Sequence, residues 1–518
     1  MMPTRPLVLA TTLLVCACSG SSTPAPSGPG VDATSCAPSR DPAYQGMPDT
    51  AQIYHWIERM VGFGRRITGT PAGYQASAYV KCEMEKLGLS DVHYETVSSW
   101  LWELDEAALS LGGDPVDAYP SAYSFATIDQ PAEFATPAGG LQAEVIDIGR
   151  AGALDMASKD VAGKIVLFDL KFLLPPLGLA PLAEFFWDPA LTVLEPSLVV
   201  GNPYLTNYSE ALKAAMDAGA VGFIGVLADY FESNRYNNEY YRRTQVTIPG
   251  FWVSPAEGAR LRQLLGEGRN QASLVMKGRR KEVEARTVIG FLEGASKDTI
   301  MVQSHLDSVS PGAVEDGSGT AAVLAQAQYF ASQPASSRSK TLMFALFDTH
   351  FSGYQSHMAF AEKYLVKRET PYRIVANVTL EHIGRQGIKG PDGQLQVTDL
   401  PELRGVLNSL GPTLKLTMMN SIIRHDLRRT FLLSGHALCS TVGMPTDASF
   451  ICLNGVPTAS LIAGPNYLYD DADTLDKVMV EDLVPTTQVF LELIEAIDDT
   501  PSMLIGLPLP HLGPVLGL

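Results

Sequence analysis

The carboxyl-terminal half of the chain alternates short apolar runs with amphipathic stretches. Nearly uninterrupted apolar runs are typical of strands buried on both faces of a sheet. They lie at Val288–Leu292, Thr299–Ser304, Leu342–Phe347, Ile374–Leu380 and Thr458–Ile462. Helices are predicted at about 318–331, 353–365, 401–409 and 481–497. This alternation predicts an α/β fold whose mostly parallel central sheet is flanked by helices.

The amino-terminal half has a different pattern. Thr50–Phe63 carries apolar residues at helical spacing, and Pro71–Leu87 predicts a second helix with proline at its first position. Short strands and a helix then alternate from about 137 to 282. Within that segment we expect the apolar loop Phe172–Phe186 to pack against a neighbouring domain rather than to serve a membrane role.

An apolar stretch at the extreme amino terminus predicts export. Leu7–Ala17 follows Arg5 and has eleven residues, too few for a helix that spans a bilayer. Its end, VCAC, resembles a bacterial lipobox in which Cys18 is acylated, and an ordinary secretory signal is the alternative. A Ser/Pro/Gly-rich tether follows. We therefore expect a protein held in the bacterial envelope, at the outer membrane or cell surface, by a lipid on Cys18 alone.

Charge and cysteine content narrow the possible partners. The 518 residues include 38 Lys+Arg and 56 Asp+Glu, giving a net charge of −18. Nucleic acid is not an expected partner, because phosphate binding requires a basic surface. Six cysteines are too few for a disulfide scaffold. In an exported protein the pairs Cys36–Cys82 and Cys439–Cys452 are candidate disulfides, and four buried thiols are the alternative.

Polar residues follow several of the predicted strands. His305 ends one strand, Glu315 opens the helix after it, His350 follows the next strand, and Glu381 follows another. Ligand sites in such sheets lie beyond the carboxyl ends of the strands. One histidine and two carboxylates, together with water, suit a catalytic zinc ion. Hydrogen-bonded polar groups in loops are the alternative for any one of these residues.

Two stretches resemble a known enzyme family. DTIMVQSHLDSVSPGAVEDGSGTAAVLAQAQYFA (298–331) and GVPTASLIAGPNYLYDDADTLDKV are similar to the zinc aminopeptidases of metallopeptidase family twenty-eight, whose relatives include glutaminyl cyclase. The stretches VAGKIVLFD and TIPGFWVSPAEGARLRQLL resemble a protease-associated domain, which implies a small β-rich insert that shapes a substrate cleft. The implied organisation is a lipoprotein signal (1–17), a tether (18–45), a zinc-exopeptidase-like domain (46–136 and 283–500), the insert (137–282) and an apolar tail (501–518).

The resemblance implies a site that holds one Zn²⁺ instead of the usual two. His305, Glu315 and Glu381 fall on the ligands of the first metal, with Asp316 a rival of Glu315. Asp307 falls on the residue that orients the ligand histidine. The second metal would need two further positions, which here are Phe351 and Tyr469. Phenylalanine cannot bind a metal, and tyrosine is a poor zinc ligand.

His350 replaces the glutamate that acts as general base in the family. It could take a proton from water, because histidine titrates near neutrality. A role for His350 as a metal ligand stays open. For four other polar residues near the site, His382, Asp447, Asp470 and Asp471, a surface or capping role is the expectation.

Together these features predict a metal-dependent hydrolase of the exopeptidase type that acts on peptides or small amides. A catalytically inactive binding protein on a peptidase fold is the alternative, since the glutamate base and two ligands are replaced. A single-zinc acyl or cyclising transferase is a third possibility. Fold alone does not decide between these activities.

Overall fold

The structure is a computed structural model that describes residues 45–125, 132–152, 155–156, 159–173, 175–194, 201–237 and 245–506. The predicted signal segment with Cys18, the tether up to residue 44, Cys36 and residues 507–518 of the predicted tail lie outside the described residues. None of the helices in the described ranges has the length and apolarity that a membrane span requires.

Sixteen strands of the described chain join one mixed sheet, and two more pair separately. The sheet strands are Ser90–Leu111, Asp114–Pro115, Ala118–Pro120, Ala132–Ala135, Leu141–Asp147, Ile165–Asp169, Ala183–Trp187, Gly222–Val226, Gly250–Val253, Gln271–Leu292, Ser296–His305, Lys340–Phe347, Arg373–Leu380, Arg404–Asn408, Thr430–Ser434 and Thr458–Ala463. The separate pair is Arg385–Lys389 with Leu395–Pro401.

Helices cover the sheet. They are Thr50–Gly62, Pro71–Lys86, Tyr208–Asp217, Pro255–Gly266, Gly319–Ser332, Gln355–Phe360, Pro412–Arg424, His436–Ser440, Ser449–Cys452 and Leu483–Asp499. Shorter or wider helical turns are Pro176–Leu182, Thr192–Leu194, Ala313–Ser318, Ala335–Ser337, Ala361–Val366, Leu475–Lys477, Val480–Asp482 and Ser502–Leu504. Both predicted amino-terminal helices are confirmed. The side chain of Thr70 caps the second by accepting a hydrogen bond from the backbone N–H of Gly73.

Four parallel strands form the centre of the sheet. Their spatial order is Lys340–Phe347, Ser296–His305, Arg373–Leu380 and Thr458–Ala463. Every residue of Lys340–Phe347 and of Thr458–Ala463 is buried, as expected for strands covered on both faces. The predicted α/β fold with a mostly parallel central sheet is confirmed, and the carboxyl ends of these strands meet at one edge.

The helix predicted at 401–409 is wrong. Arg404–Asn408 is a strand that pairs in parallel with Thr430–Ser434 and antiparallel with Thr458–Ala463. Periodicity alone does not distinguish a short buried strand from a buried helical turn. Here the segment is a strand because it pairs with a neighbouring strand on each side. The helix instead begins at Pro412, a residue type that favours the first helical position.

Two long strands lead into and out of the predicted insert. Ser90–Leu111 and Gln271–Leu292 pair antiparallel along most of their 22 residues each. The strands between them carry their own apolar core, which includes Ile165, Ile224 and Phe251. The boundaries 137 and 282 stay a prediction, and residue 282 falls within the second long strand.

The apolar loop of the insert packs on the central sheet, as expected. Its strand Ala183–Trp187 pairs antiparallel with Thr430–Ser434, and the rings of Phe186 and Phe431 stack with centroids 4.1 Å apart. A disulfide joins Cys439 to Cys452, with Cα atoms 5.1 Å apart, which confirms one of the two predicted cysteine pairs. The loop that it closes contains Asp447.

Candidate metal centre

Three buried side chains converge at the carboxyl edge of the parallel strands. His305 is the last residue of Ser296–His305, Glu315 lies in the turn before Gly319–Ser332, and His382 follows Arg373–Leu380. All three are at most 2% exposed. This edge is where ligand sites form in open α/β sheets.

Glu315 lies between the two imidazoles. Its Oε1 is 3.0 Å from Nε2 of His305, and its Oε2 is 2.6 Å from Nε2 of His382. Nδ1 of His305 faces the main-chain oxygen of Asp307 at 3.0 Å, and Nδ1 of His382 faces that of Ala463 at 2.8 Å. A carbonyl can only accept, so each Nδ1 carries a hydrogen, and Nε2 is the atom of each ring whose lone pair a metal ion would use.

This set of donors fits zinc. Metal-bound histidines typically donate their other N–H to a carbonyl or carboxylate, as these two do. Within the described part of the chain, neither Nε2 atom and neither carboxylate oxygen of Glu315 has a well-aligned hydrogen bond. Two imidazoles and one carboxylate are a common ligand set of a catalytic zinc ion.

A second group of possible ligands shares His305 and adds His350 and Asp447. Nδ1 of His350 is already hydrogen-bonded to Oδ1 of Asp447 at 2.8 Å. Among the described residues, no further group of three such side chains lies close enough to hold an ion. The group of His305, Glu315 and His382 is therefore the better metal centre, because its facing atoms are not committed to other hydrogen bonds.

The charges of the first group are strongly coupled. Burial alone lowers the pKa of His382, but the adjacent Glu315 carboxylate outweighs burial and raises that pKa to about 9. Burial alone raises the pKa of Glu315, but the two imidazoles hold it well below its usual range. Without an ion the group therefore carries protons on its histidines. A bound metal would displace them.

Glu381 lies beside this group without joining it. Its Oε1 accepts a hydrogen bond from the backbone N–H of Asp447 at 3.2 Å. Burial, followed by the charge of Asp447, raises its pKa well above the usual range. The ligand role of Glu381 stays a prediction. The side chain that contacts Glu315 belongs to the next residue, His382.

The other predicted site residues surround His305. The His350 ring stacks on His305 with centroids 4.0 Å apart, and its Nε2 lies 3.9 Å from Oε1 of Glu315. The carboxylate of Asp307 is 3.5 Å from Nδ1 of His305 and accepts from the backbone N–H of Phe351. The structure thus places His350 and Asp307 beside the candidate ligands, and their roles stay predictions.

Asp316 is engaged elsewhere, although its Oδ2 lies 4.0 Å from Nε2 of His305. That oxygen accepts from the hydroxyl of Ser304, and its Oδ1 accepts from the backbone N–H of Gly319 at 2.9 Å. These bonds hold Asp316 at the start of the following helix. Glu315 is the carboxylate that faces both imidazoles.

Phe351 and Tyr469, which the family resemblance aligns with the ligands of a second metal, contact each other through their rings. The ring of Phe351 meets those of His305 and Tyr469 edge-on, with centroids 6.0 and 6.3 Å away. The Tyr469 hydroxyl is buried and has no hydrogen-bond partner among the described residues. Phe351 has no lone pair to offer a metal.

Two buried residues hold the loop that carries Glu315. Asp473 accepts from the backbone N–H groups of Val314 and Glu315, both at 2.9 Å. The Arg66 guanidinium donates to four main-chain oxygens, those of Met60, Leu306, Pro311 and Gly312. Burial lowers the pKa of Arg66 to about 10. No signal in the sequence points to Arg66, because all its partners are backbone atoms and three of the four lie far along the chain.

The insert segment contributes directly to the site. The Tyr204 hydroxyl lies 2.6 Å from Nδ1 of His382 and donates to the main-chain oxygen of Ala463. The backbone N–H of Asn237 donates to the main-chain oxygen of Tyr469 at 3.1 Å. Changes in this segment can therefore affect the orientation of His382.

Comparisons with known proteins agree with this fold. Residues 287–494 match Peptidase family M28. The probable lipoprotein aminopeptidase LpqL of Mycobacterium tuberculosis is 28% identical over 280 residues, which is 52% of this chain and 46% of that protein. The chain thus matches about half the length of this curated relative.

Solved structures show the same fold. A peptidase M28 precursor from Shewanella amazonensis SB2B has a TM-score of 0.66 and 20% identity, over 89% of this chain and 95% of its own. The zinc aminopeptidase BSAP from Bacillus subtilis has a TM-score of 0.61 and 19% identity, over 89% and 99%. The fold is therefore the one seen in these two peptidases. The chain carries a domain of Peptidase family M28, which confirms the resemblance seen in its motifs.

Proposed function

We propose that this chain is a metal-dependent exopeptidase of the aminopeptidase type, acting on peptides or small amides. The observation that carries the proposal is the approach of two Nε2 atoms to the two oxygens of Glu315. His305, Glu315 and His382 would hold a zinc ion there, and the bound ion would supply Lewis acidity for an amide carbonyl and for water. His350 faces the same group and accepts the proton of water at Nε2.

The proposed site holds a single ion. His305, Glu315 and His382 are its ligands, and Glu381, the residue implied by the family motif, is the alternative third ligand. Support for one ion comes from Phe351 and Tyr469, whose rings pack together where a second ion would need ligands. Besides Glu315, these two positions would offer a second ion no good ligand, so we expect no tight binding of a second ion there.

A binding protein without catalytic activity is the second candidate. Protonated His305 and His382 satisfy Glu315 as ion pairs, at 3.0 and 2.6 Å, without any metal. In that case the buried group would stabilise the loop and the domain would bind peptides without cutting them.

The two choices of third ligand predict different variants. His382→Ala should weaken zinc binding by more than the roughly 10–100-fold typical of changes outside the ligand shell, because an imidazole that faces Glu315 is lost. Glu381→Gln should retain zinc, since its oxygen faces a backbone N–H. His425→Ala is the control, as that imidazole pairs with Glu492 at 2.9 Å between two helices. The zinc content of each variant after dialysis shows whether His382 or Glu381 is the third ligand. If Glu381→Gln loses zinc and His382→Ala retains it, Glu381 is the third ligand.

We also propose export and anchoring by a lipid on Cys18. The lipobox-like VCAC motif supports this proposal, as does the similarity to a protein described as a probable lipoprotein. Cys18→Ser should leave export intact and release the protein from membranes, which fractionation and immunoblotting would show. If the serine variant stays in the membrane fraction, acylation of Cys18 is not the anchor.

The insert at 137–282 is proposed to act as a protease-associated domain that shapes the substrate cleft. Tyr204 and Asn237 support this proposal, because both contact residues of the candidate site.

A further inference from the structure

A second carboxylate beside the metal centre also lies between two imidazoles. Oδ1 of Asp447 is 2.8 Å from Nδ1 of His350, and Oδ2 is 3.1 Å from Nε2 of His357. All three side chains are at most 2% exposed. His357 belongs to neither group of possible metal ligands in the described chain. This trio therefore needs an explanation other than a metal site of its own.

Separate elements hold the three residues in place. His350 follows the strand Lys340–Phe347, and His357 lies in the helix Gln355–Phe360. Asp447 lies in the loop closed by the Cys439–Cys452 disulfide. The His357 ring stacks on Phe347 with centroids 4.2 Å apart. Neither imidazole can turn without disturbing packed neighbours.

The contact with Asp447 decides which nitrogen of His350 is a base. An ionised carboxylate only accepts, so Nδ1 of His350 carries its hydrogen and donates to Oδ1. Nε2 is then the atom that carries the lone pair; it faces Glu315 at 3.9 Å and lies 3.5 Å from the Tyr354 hydroxyl. The same carboxylate stabilises the imidazolium that forms when Nε2 takes up a proton.

We propose that Asp447 and His357 are positioning residues for His350, which together replace the single carboxylate base expected from the family motif. Asp447 fixes the tautomer and orientation of His350. The His357 Nε2 atom lies 3.1 Å from the second oxygen of Asp447 without a well-aligned hydrogen bond, and this close charged contact limits the directions open to the carboxylate. This proposal rests on the proposed function, in which His350 is the base of an amide hydrolysis.

Each proton in that hydrolysis has a defined place. An O–H bond of water breaks, its proton goes to Nε2 of His350, and the water oxygen bonds to the carbonyl carbon while the C=O π electrons move to the carbonyl oxygen. When the carbonyl re-forms, the C–N bond breaks and Nε2 returns its proton to the leaving nitrogen. The Nδ1 hydrogen stays on His350 throughout, donated to Asp447.

The test compares Asp447→Asn and His357→Gln with a His425→Gln control. For an Asp–His pair of this kind, the change from aspartate to asparagine lowers kcat by about 10⁴-fold in serine proteases. We expect Asp447→Asn to lower kcat by about 10³–10⁴-fold, with KM and zinc content close to those of the parent protein. His357→Gln should lower kcat less, by about tenfold, because it acts on His350 only through Asp447.

A second readout does not depend on turnover. Nitrogen-15 NMR of the zinc-loaded protein with labelled histidines should show His350 protonated at Nδ1 and bare at Nε2. Assignment uses the loss of that signal in His350→Gln. In Asp447→Asn the same resonance should shift toward the other tautomer or an exchanging mixture. Circular dichroism shows whether each variant is folded. If Asp447→Asn is unfolded, the same comparison is made with His357→Gln.

The outcomes separate the two proposals. A folded Asp447→Asn protein with parental kcat and an unchanged His350 tautomer overturns the positioning role and leaves the zinc hydrolase standing. Loss of zinc from Asp447→Asn also overturns it, because Asp447 would then be a ligand. If the zinc-loaded parent protein cleaves no peptide or amide, the proposed function fails. The NMR tautomer then still decides whether Asp447 orients His350.

Discussion

His305→Ala is expected to lose zinc and activity together. His305 supplies one of the two imidazoles that face Glu315, and its Nε2 is the atom nearest to Oε1 of that carboxylate. The ring is also fully buried and stacks on His350, so its removal disturbs both the ligand group and the base. We expect kcat/KM to fall by at least about 10³-fold, since metal activation of water supplies several kcal/mol of the barrier lowering.

His55→Ala provides the matched control for that experiment. The His55 imidazole is 59% exposed and contacts Glu58 on the same helix, so its loss should leave zinc content and kcat/KM unchanged. Zinc is measured by elemental analysis after gel filtration, and activity with a panel of aminoacyl amides. A His305→Ala protein that retains both zinc and activity would contradict the proposed metal centre.

Arg66→Met is expected to have the largest effect on stability. The Arg66 guanidinium is fully buried and donates to four main-chain oxygens, three of them in the segment 306–312 that leads to Glu315. Methionine retains most of the apolar stem but leaves those oxygens without a donor. It also removes a positive charge close to several buried carboxylates. We expect the free energy of unfolding to fall by about 3–5 kcal/mol, as for other buried charges that lose their partners.

Arg65→Met tests whether that loss depends on burial. Arg65 precedes Arg66 directly, but its side chain is 40% exposed and pairs with Asp471 at 2.6 Å. A partly exposed ion pair contributes at most about 1 kcal/mol, so this variant should stay close to the parent protein. Urea unfolding followed by circular dichroism gives both values. Equal losses for the two variants would argue against a special role for Arg66.

The sequence predicts the central part of the fold because that part depends on local composition. The four parallel strands are continuous apolar runs, and such runs are typical of strands covered on both faces. The pattern around Arg404–Asn408 predicts a helix, because five residues are too few for periodicity to distinguish a strand from a helix. Its strand character comes from Thr430–Ser434 and Thr458–Ala463, which pair with it on both sides.

The candidate site, like the fold, can be predicted from the sequence only in part. His305 and Glu315 could be proposed from a motif within one short stretch of the chain. The place of His382 could not, because it depends on a contact with Glu315, 67 residues earlier, and on the main-chain oxygen of Ala463. His357 gave no signal either, since Asp447 reaches it from a distant loop. Such contacts are set by how the elements pack, which a single sequence does not record.

Zinc content of the parent protein, purified without chelators, tests the central claim most directly. Elemental analysis against protein concentration should give about one zinc per chain, because His305, Glu315 and His382 together with water complete a four-coordinate site. Two tightly held ions would contradict the single-metal account and point to a second site that includes His350 and Asp447. No zinc, even after zinc is added and the excess removed, would contradict the hydrolase and favour the binding protein.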